Sequence, residues 1–108
     1  MNKRIFRGAI LEITLLNLIN NASDQGLHGY AMYGEFQKKF GVLLRPSTLY
    51  AELVRLEKQG LVDSSWGVMF GKARRVYRIT RKGQARLQEY FIELKIVIPH
   101  ALTPIHEC

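Results

Sequence analysis

The sequence has little cysteine and little proline. Of its 108 residues, one is cysteine and three are proline. The single cysteine, Cys108, stands at the last position and cannot form an internal disulfide. This excludes a disulfide-stapled scaffold and favours a reducing compartment such as the cytoplasm. The pattern assigns no role to Cys108 itself.

Long hydrophobic runs are also missing. The longest apolar stretch, residues 9–19, is interrupted by Glu12, Thr14 and Asn17, so it is too short and too polar to span a bilayer. The start "MNKRIFRGAILEITLLNLI" is basic, but no small-residue cleavage site follows it. We therefore expect no signal peptide, no membrane partner and a cytoplasmic protein.

Clusters that would indicate catalysis or metal binding are absent from the sequence. The histidines His28, His100 and His106 are dispersed, and none has the paired spacing of metal ligands. No glycine-rich phosphate loop follows a predicted strand. We predict no enzymatic activity, no metal site and no cofactor.

Acidic residues are outnumbered by basic ones. Sixteen Lys and Arg face nine Asp and Glu, which gives a net charge of +7 and a pI near 9.9. Such a balance indicates an anionic partner, which can be nucleic acid, an acidic protein or an anionic membrane. The length and the 47% hydrophobic content predict one globular domain.

The apolar periodicity predicts four helices and one β-hairpin. We expect the helices at about residues 6–21, 30–40, 46–59 and 81–98. The segments "LVDSSW" and "RRVYRIT" have strand character, and "GVMFGKA" between them offers Gly67 and Gly71 for a turn. The hairpin then occupies residues 61–79.

Three helices followed by a hairpin and a last helix describe a winged helix-turn-helix. The predicted fold class is mainly α with a small β-hairpin (α+β), with dimerisation helices at both ends. We assign residues 1–80 to the DNA-binding domain, 81–98 to a C-terminal dimerisation helix and 99–108 to a frayed tail.

The segment "RPSTLYAELVRLEKQGLV" predicts how the third helix is oriented. Its leucines at positions 49, 53 and 56 form one inward ridge, so the residues of its first turn point away from the core. A recognition helix enters the major groove with its first turns, where hydroxyl groups contact base edges or phosphates. The predicted DNA contacts on this helix are Ser47, Thr48, Tyr50 and Arg55.

A structural explanation of these residues stays open. Ser47 and Thr48 can simply help to start the helix, and Tyr50 can pack under the hairpin.

The predicted hairpin carries much of the basic charge. Residues 60–83 contain six Lys and Arg against one acidic residue, Asp63. A basic hairpin beside a recognition helix is expected to contact DNA phosphates or the minor groove. We assign this role to Lys72, Arg74 and Arg75; the alternative is a merely solvated basic strand.

The first and last helices carry more apolar surface than one small core requires. Predicted dimer contacts are Ile10 and Ile13 on the first helix, and Leu87, Phe91, Leu94 and Ile98 on the last. Left uncovered, this surface would form a patch that monomers rarely tolerate, and a symmetric homodimer buries it. The alternative is that the last helix only covers the monomer core.

The chain resembles the PadR family of winged-helix transcriptional regulators. The resemblance rests on "LHGY" at 27–30, on "STLYxxLxRLExxGLV" at 47–62, on Trp66, and on "GxxRxxYRITxxG" at 71–83. It implies a cytoplasmic homodimer that binds double-stranded DNA at a palindromic operator, usually as a repressor. It also places Tyr30 near the DNA backbone.

Several residues depart from the family pattern. Arg45 stands where a small capping residue is usual, Ala51 replaces a frequent proline, and Val76 replaces a frequent aromatic. Trp66 is expected in the core at the base of the wing; the alternative is a surface that stacks on a flat effector. Whether an effector exists, and which one, stays open.

The sequence also allows a function of another class. A winged-helix module can bind an acidic partner protein through its basic wing without any role for DNA. Retention of a DNA sequence preference at ~150 mM salt separates a DNA regulator from such a module.

Overall fold

The computed structural model describes residues 3–22, 25–41 and 44–97. Along the chain its elements are α1 (Lys3–Asn20), β1 (Leu27–His28), α2 (Gly29–Phe40), α3 (Pro46–Lys58), β2 (Val62–Met69), β3 (Lys72–Ile79) and α4 (Arg81–Val97). The predicted class, mainly α with a hairpin, is confirmed. The predicted tail 99–108 and the residue Ile98 lie outside the described residues.

Local signals explain where the helices begin and end. Gly41 adopts a left-handed conformation with φ 69°, and its N–H donates to the Gln37 carbonyl at the end of α2. Pro46 occupies the first turn of α3, where its missing N–H costs nothing. The Thr80 hydroxyl oxygen accepts from the Gly83 N–H at 3.0 Å and caps α4.

The predicted loop between the two wing strands is wrong. Strands β2 and β3 are eight residues each and are joined by only Phe70 and Gly71. Both residues have positive φ, 54° and 76°, as in the two-residue turns that match the twist of a hairpin. Gly67, expected in the turn, instead pairs with Arg74 inside the ladder.

Strand β1 was not predicted. It pairs antiparallel with β3, with Leu27 opposite Tyr77 and His28 opposite Val76, and gives the sheet order β1-β3-β2. Two residues are too few for a periodic signal in the sequence. The pairing ties the start of α2 to the base of the wing.

The core lies between α1, α2, α3, the base of the hairpin and α4. Its fully buried side chains are Leu15, Leu16, Ile19, Met32, Leu49, Leu53, Leu56, Leu61 and Val62. The three ridge leucines of α3 are at most 1% exposed, so the predicted inward face of α3 is confirmed. Each buried leucine contributes about 2 kcal/mol, which sets the rotation of α3 about its axis.

Candidate nucleic-acid interface

The first turn of α3 lies on the surface. Ser47 and Thr48 are exposed, and no acidic residue occupies this turn. Arg45 precedes the helix in an extended conformation and makes no side-chain capping bond, as its departure from the family pattern predicts. The N–H groups of the first turn therefore remain available to an anion, whose charge also suits a helix N-terminus.

Tyr50 joins α3 to the start of α2. The side chain is 46% exposed, and its ring packs on Gly29, where an added Cβ would lie 2.7 Å from the ring and from the hydroxyl oxygen. Glycine at position 29 thus makes room for Tyr50. Tyr50 thus packs on the start of α2 and leaves about half of its surface outward.

Two aromatic residues on the same side of the molecule carry an arginine each. Tyr30 is 67% exposed, and the Arg74 guanidinium carbon lies 5.4 Å from the centroid of its ring. The Arg75 guanidinium lies at the same distance from the ring of Trp66. Cation–π contacts of this kind hold the cations at defined places on the surface.

The expectation that Trp66 is a core residue is wrong. Its side chain is 68% exposed, whereas Val62, four residues closer to the base of the same strand, is 2% exposed. The core covers only the base of the hairpin, because the strands extend further than the sequence indicated.

A cavity of about 210 Å³ opens between these elements. Tyr30, Tyr50 and Trp66 line it together with Arg74 and Arg75. The Nε of Arg74 is buried and has no hydrogen-bond partner among the described residues. The starts of α2 and α3 and the wing therefore form one continuous aromatic and basic surface.

The basic side chains of the wing differ in how they are held. Arg75 donates to the Ser64 hydroxyl at 2.9 Å, and Ser64 donates to Glu57 of α3 at 2.8 Å. Arg78 donates to the Ser65 hydroxyl at 3.1 Å, close to the wing base. Lys72, the first residue of β3, is exposed beside the turn. The wing is thus fixed to α3 near its base and presents cations towards its tip.

Arg55, expected to contact DNA, forms ion pairs inside the molecule. Its guanidinium donates to Glu52 on the same helix, with Nε 3.0 Å from Oε1, and to Glu12 on α1. Its side chain is 40% exposed. The structure thus occupies Arg55 with carboxylates, and whether it also contacts DNA stays a prediction.

Glu12 is the residue that the sequence interpretation missed. It is 4% exposed, and its second oxygen, Oε2, accepts from Arg86 at 2.9 Å and from Tyr90 at 2.8 Å, both on α4. One carboxylate therefore connects α1, α3 and α4. The signal in the sequence was its position, since Glu12 interrupts the longest apolar run.

The electrostatics keep this carboxylate charged. Burial alone would raise the pKa of Glu12, but the hydrogen bonds from Arg55, Tyr90 and Arg86 more than offset it and lower the pKa. The bonds to Glu52 and Glu12 raise the pKa of Arg55, although burial opposes them. Glu12, Arg55 and Arg86 are therefore all charged at neutral pH, and Tyr90 is a neutral donor to Glu12.

His28 caps α2 in its neutral form. Its Nδ1 accepts from the Ala31 N–H at 3.2 Å. Burial lowers the pKa of His28, and the nearby charge of Arg74 lowers it further. A neutral imidazole with an acceptor nitrogen is the form that this cap requires.

The predicted dimer residues lie at different depths. Ile10 is 39% exposed on α1, while Ile13 and Phe91 are half-buried against the core. Leu87 is 2% exposed and belongs to the core of the single chain. Little of its surface is therefore accessible to a second copy of the protein. The Leu94 side chain and Ile98 lie outside the description.

Ile92 was not among the predicted contacts. It is 57% exposed on α4, and α4 packs along α1. Ile92 is thus an exposed apolar residue on α4, as Ile10 is on α1.

Residues 3–22, 25–41 and 44–97 contain neither a metal-binding cluster nor a membrane-spanning helix. Within them, no group of three or more His, Cys, Asp and Glu side chains could hold a metal ion. No helix there is both long and apolar enough to cross a bilayer.

Comparison with known proteins gives consistent matches. Residues 15–89 match the model of the transcriptional regulator PadR-like family. The chain is 42% identical over 74 residues to the transcriptional regulator Rv3488 of Mycobacterium tuberculosis, a match that covers 68% of each chain.

Solved structures show the same fold. A PadR-like transcriptional regulator from Bacillus cereus superimposes with a TM-score of 0.76 at 22% identity, covering 93% of this chain and 95% of that one. PadR of Bacillus subtilis in complex with operator DNA gives 0.67 at 23% identity, covering 77% and 47%. At these identities the likeness concerns the fold alone, and it confirms the predicted winged helix.

Proposed function

Since the chain belongs to the PadR-like family of transcriptional regulators, which are not enzymes, we propose that it is a cytoplasmic repressor that binds a palindromic operator as a homodimer. One observation carries the proposal. The leucine ridge of α3 is buried while the first turn of α3 is exposed and free of acidic residues. That arrangement is the one a recognition helix needs to enter a major groove.

Sequence discrimination belongs to the start of α3. The hydroxyls of Ser47 and Thr48 reach base edges, and the Thr48 methyl group can contact a thymine methyl. Tyr50, supported from behind by Gly29, lies at the wall of the groove. Tyr30 at the start of α2 contacts the DNA backbone.

Sequence-independent affinity belongs to the wing. Lys72, Arg74 and Arg75 neutralise phosphates beside the half-site, and each neutralised phosphate releases counterions. The stacking of Arg74 on Tyr30 and of Arg75 on Trp66 orders two of these cations before DNA arrives. The entropy lost on binding is smaller for side chains that are already ordered.

The apolar residues of α1 and α4 form the dimer contact. Ile10 and Ile92 are exposed, and Ile13 and Phe91 are partly buried on the same two helices. A two-fold axis through this surface would set the α3 helices of two copies on half-sites one or two helical turns apart, each turn about 34 Å. The operator is then a palindrome.

Selection of duplexes by the purified protein tests the proposal. We expect a palindromic motif whose preference persists at ~150 mM salt. Thr48→Ala should relax the preference at one or two base positions while the spacing of the half-sites stays the same. Loss of nearly all duplex affinity at that salt concentration would instead support the rival function, in which the basic wing binds an acidic protein.

A further inference from the structure

The tip of the wing holds an aromatic residue in an unfavourable backbone conformation. Phe70 has φ 54° and its side chain is 92% exposed. The first central position of such a turn favours asparagine, aspartate or glycine, because side chains with a bulky Cβ substituent clash at positive φ. A strained and exposed phenylalanine contributes nothing to the core, and strain kept at one position points to a function there.

Three exposed apolar residues at alternate positions of the wing sequence form what we call the wing stripe: Trp66, Val68 and Phe70. Trp66 and Val68 lie two residues apart on one face of β2 and are 68% and 75% exposed. Side chains of this type collected at one place on a small protein mark a surface that another molecule covers.

The charges around the wing stripe indicate the chemistry of that molecule. Lys72 follows the turn, and Arg75 pairs in register with Trp66. The only acidic residue of β2 and β3 is Asp63 near the wing base, which pairs in register with Arg78. The partner therefore offers anions at its edges and an apolar surface between them. A DNA minor groove has phosphates on both walls and stacked base pairs as its floor.

The wing stripe adjoins the aromatic and basic surface that the starts of α2 and α3 form with the wing. Trp66 lines the same cavity as Tyr50 of α3 and Tyr30 of α2. From Trp66 to Phe70 an extended strand advances ~13 Å, which exceeds the ~7.5 Å depth of the minor groove. With α3 in a major groove, the tip is long enough to reach the floor of an adjacent minor groove.

We propose that Phe70 is a wedge that enters the minor groove next to each half-site and partly unstacks one base step. This inference rests on the proposed function. Lys72 binds the phosphate beside the inserted ring. Because pyrimidine–purine steps unstack most easily, the protein prefers TA or CA/TG at that flanking position without any hydrogen bond to those bases.

The test uses a duplex selected by the protein, with 2-aminopurine placed at the flanking step, whose fluorescence rises when it unstacks. Wild-type protein should raise the fluorescence. Phe70→Asn should bind roughly tenfold more weakly and give no rise. Its thermal stability should be equal or higher, since asparagine suits this turn position, so loss of folding cannot explain the loss of binding. Asp63→Asn, at an exposed position near the base of the same wing and outside the wing stripe, is the control and should keep the rise.

Several outcomes would overturn the wedge. If the wild type binds the selected duplex but leaves the fluorescence unchanged, or if Phe70→Asn behaves like wild type, the wedge is wrong and the proposed function stands. If the wild type binds no duplex, both fall. Loss of binding to phosphatidylserine vesicles, or of self-association, in Phe70→Asn alone would assign the tip to a membrane or to a second copy.

Discussion

At the scale of single residues, Glu12 joins three helices through one carboxylate. Its carboxylate is buried, and it accepts from two arginines and a tyrosine on two other helices. A buried charge is stable only when it is paired and hydrogen-bonded, and removing its charge leaves its partners unsatisfied. Because Arg55 sits on α3, the position of the recognition helix depends on a residue of α1.

Glu12→Gln should destabilise the fold by about 2 kcal/mol, because it leaves Arg55 and Arg86 without their shared carboxylate. This figure is at the lower end for a buried pair, since both arginines are partly exposed. Urea unfolding followed by circular dichroism measures the change. Glu93→Gln, an exposed carboxylate on α4, is the control and should change stability by less than about 0.5 kcal/mol. Equal stability of the two variants would refute the role of the network.

The same residue predicts a dependence on pH. The pKa of Glu12 is lower in the folded protein than its ordinary value of 4.5, so the folded state favours the ionised form. Its contribution is complete above that ordinary value and is lost as the pH falls through the lowered one. The stability gap between wild type and Glu12→Gln should therefore shrink on acidification below about 4.5. A gap that stays constant far into acid would show that Glu12 does not titrate as the structure indicates.

At the scale of elements, the hairpin and α4 meet through a glycine. A Cβ at Gly83, in the first turn of α4, would lie 2.0 Å from the carbonyl oxygen of Leu61. That oxygen also accepts from the Thr80 N–H at 3.1 Å. A side chain at position 83 would therefore push the backbone of Leu61 away from α4. Such a shift would disturb both the base of the wing and the cap of α4.

The close approach at Gly83 can be tested against Gly34, another glycine inside a helix. Gly83→Ala should destabilise the protein by about 3 kcal/mol, because overpacking against backbone forces a shift of α4. Gly34→Ala in α2, where a Cβ meets nothing within 4 Å, should stabilise it by about 0.5–1 kcal/mol through the helix propensity of alanine. Thermal unfolding of both variants gives the comparison. The explanation by close approach is wrong if both substitutions shift the midpoint in the same direction.

At the scale of the whole molecule, the proposed DNA surface and the proposed dimer surface lie on different elements. The basic wing, with its wing stripe, and the starts of α2 and α3 share one surface, whereas exposed isoleucines lie on α1 and α4. In the proposed function, a dimer forms through α1 and α4 while the wing and α3 stay open to DNA. DNA affinity should then depend on salt through the wing and on protein concentration through the dimer contact.

Lys72→Ala should weaken binding to every duplex by a similar factor and lower the salt slope of log K by about one unit. The reason is that a lysine beside the turn neutralises a phosphate without reading a base. Fluorescence anisotropy titrations over a range of salt, with selected and unrelated duplexes, provide the slope. A changed base preference with an unchanged slope would contradict this assignment.

If the proposed homodimer forms through α1 and α4, Ile92→Glu should separate it, because a charge replaces an exposed apolar side chain on α4. The monomer should stay folded, since Ile92 is 57% exposed in the single chain. Sedimentation equilibrium measures the dissociation constant, which we expect to rise at least about tenfold. Val54→Glu, an exposed apolar position on α3, is the control and should leave association unchanged. An Ile92→Glu variant that associates like wild type would move the dimer contact elsewhere.

Much of this protein could be predicted from the order of its residues. The leucine spacing at 49, 53 and 56 determined the inward face of α3, because helical periodicity is local and burial follows it. The caps that Thr80 and Gly41 form are local in the same way, since a cap depends on neighbours within one turn. The winged-helix fold followed from the order of the predicted elements, and the family followed from the resemblance of the segments 27–30, 47–62 and 71–83 to its motifs.

Tertiary structure alone decided the partners of residues far apart in the chain. Arg55 looked like one more polar residue of an exposed helix face, and only the approach of α1 gave it Glu12, 43 positions away. Trp66 is exposed rather than buried because the length of the wing depends on a turn of two residues, not on strand composition. Contacts of this kind depend on how helices and strands pack in three dimensions, and a pattern that repeats every two or four residues contains no such information.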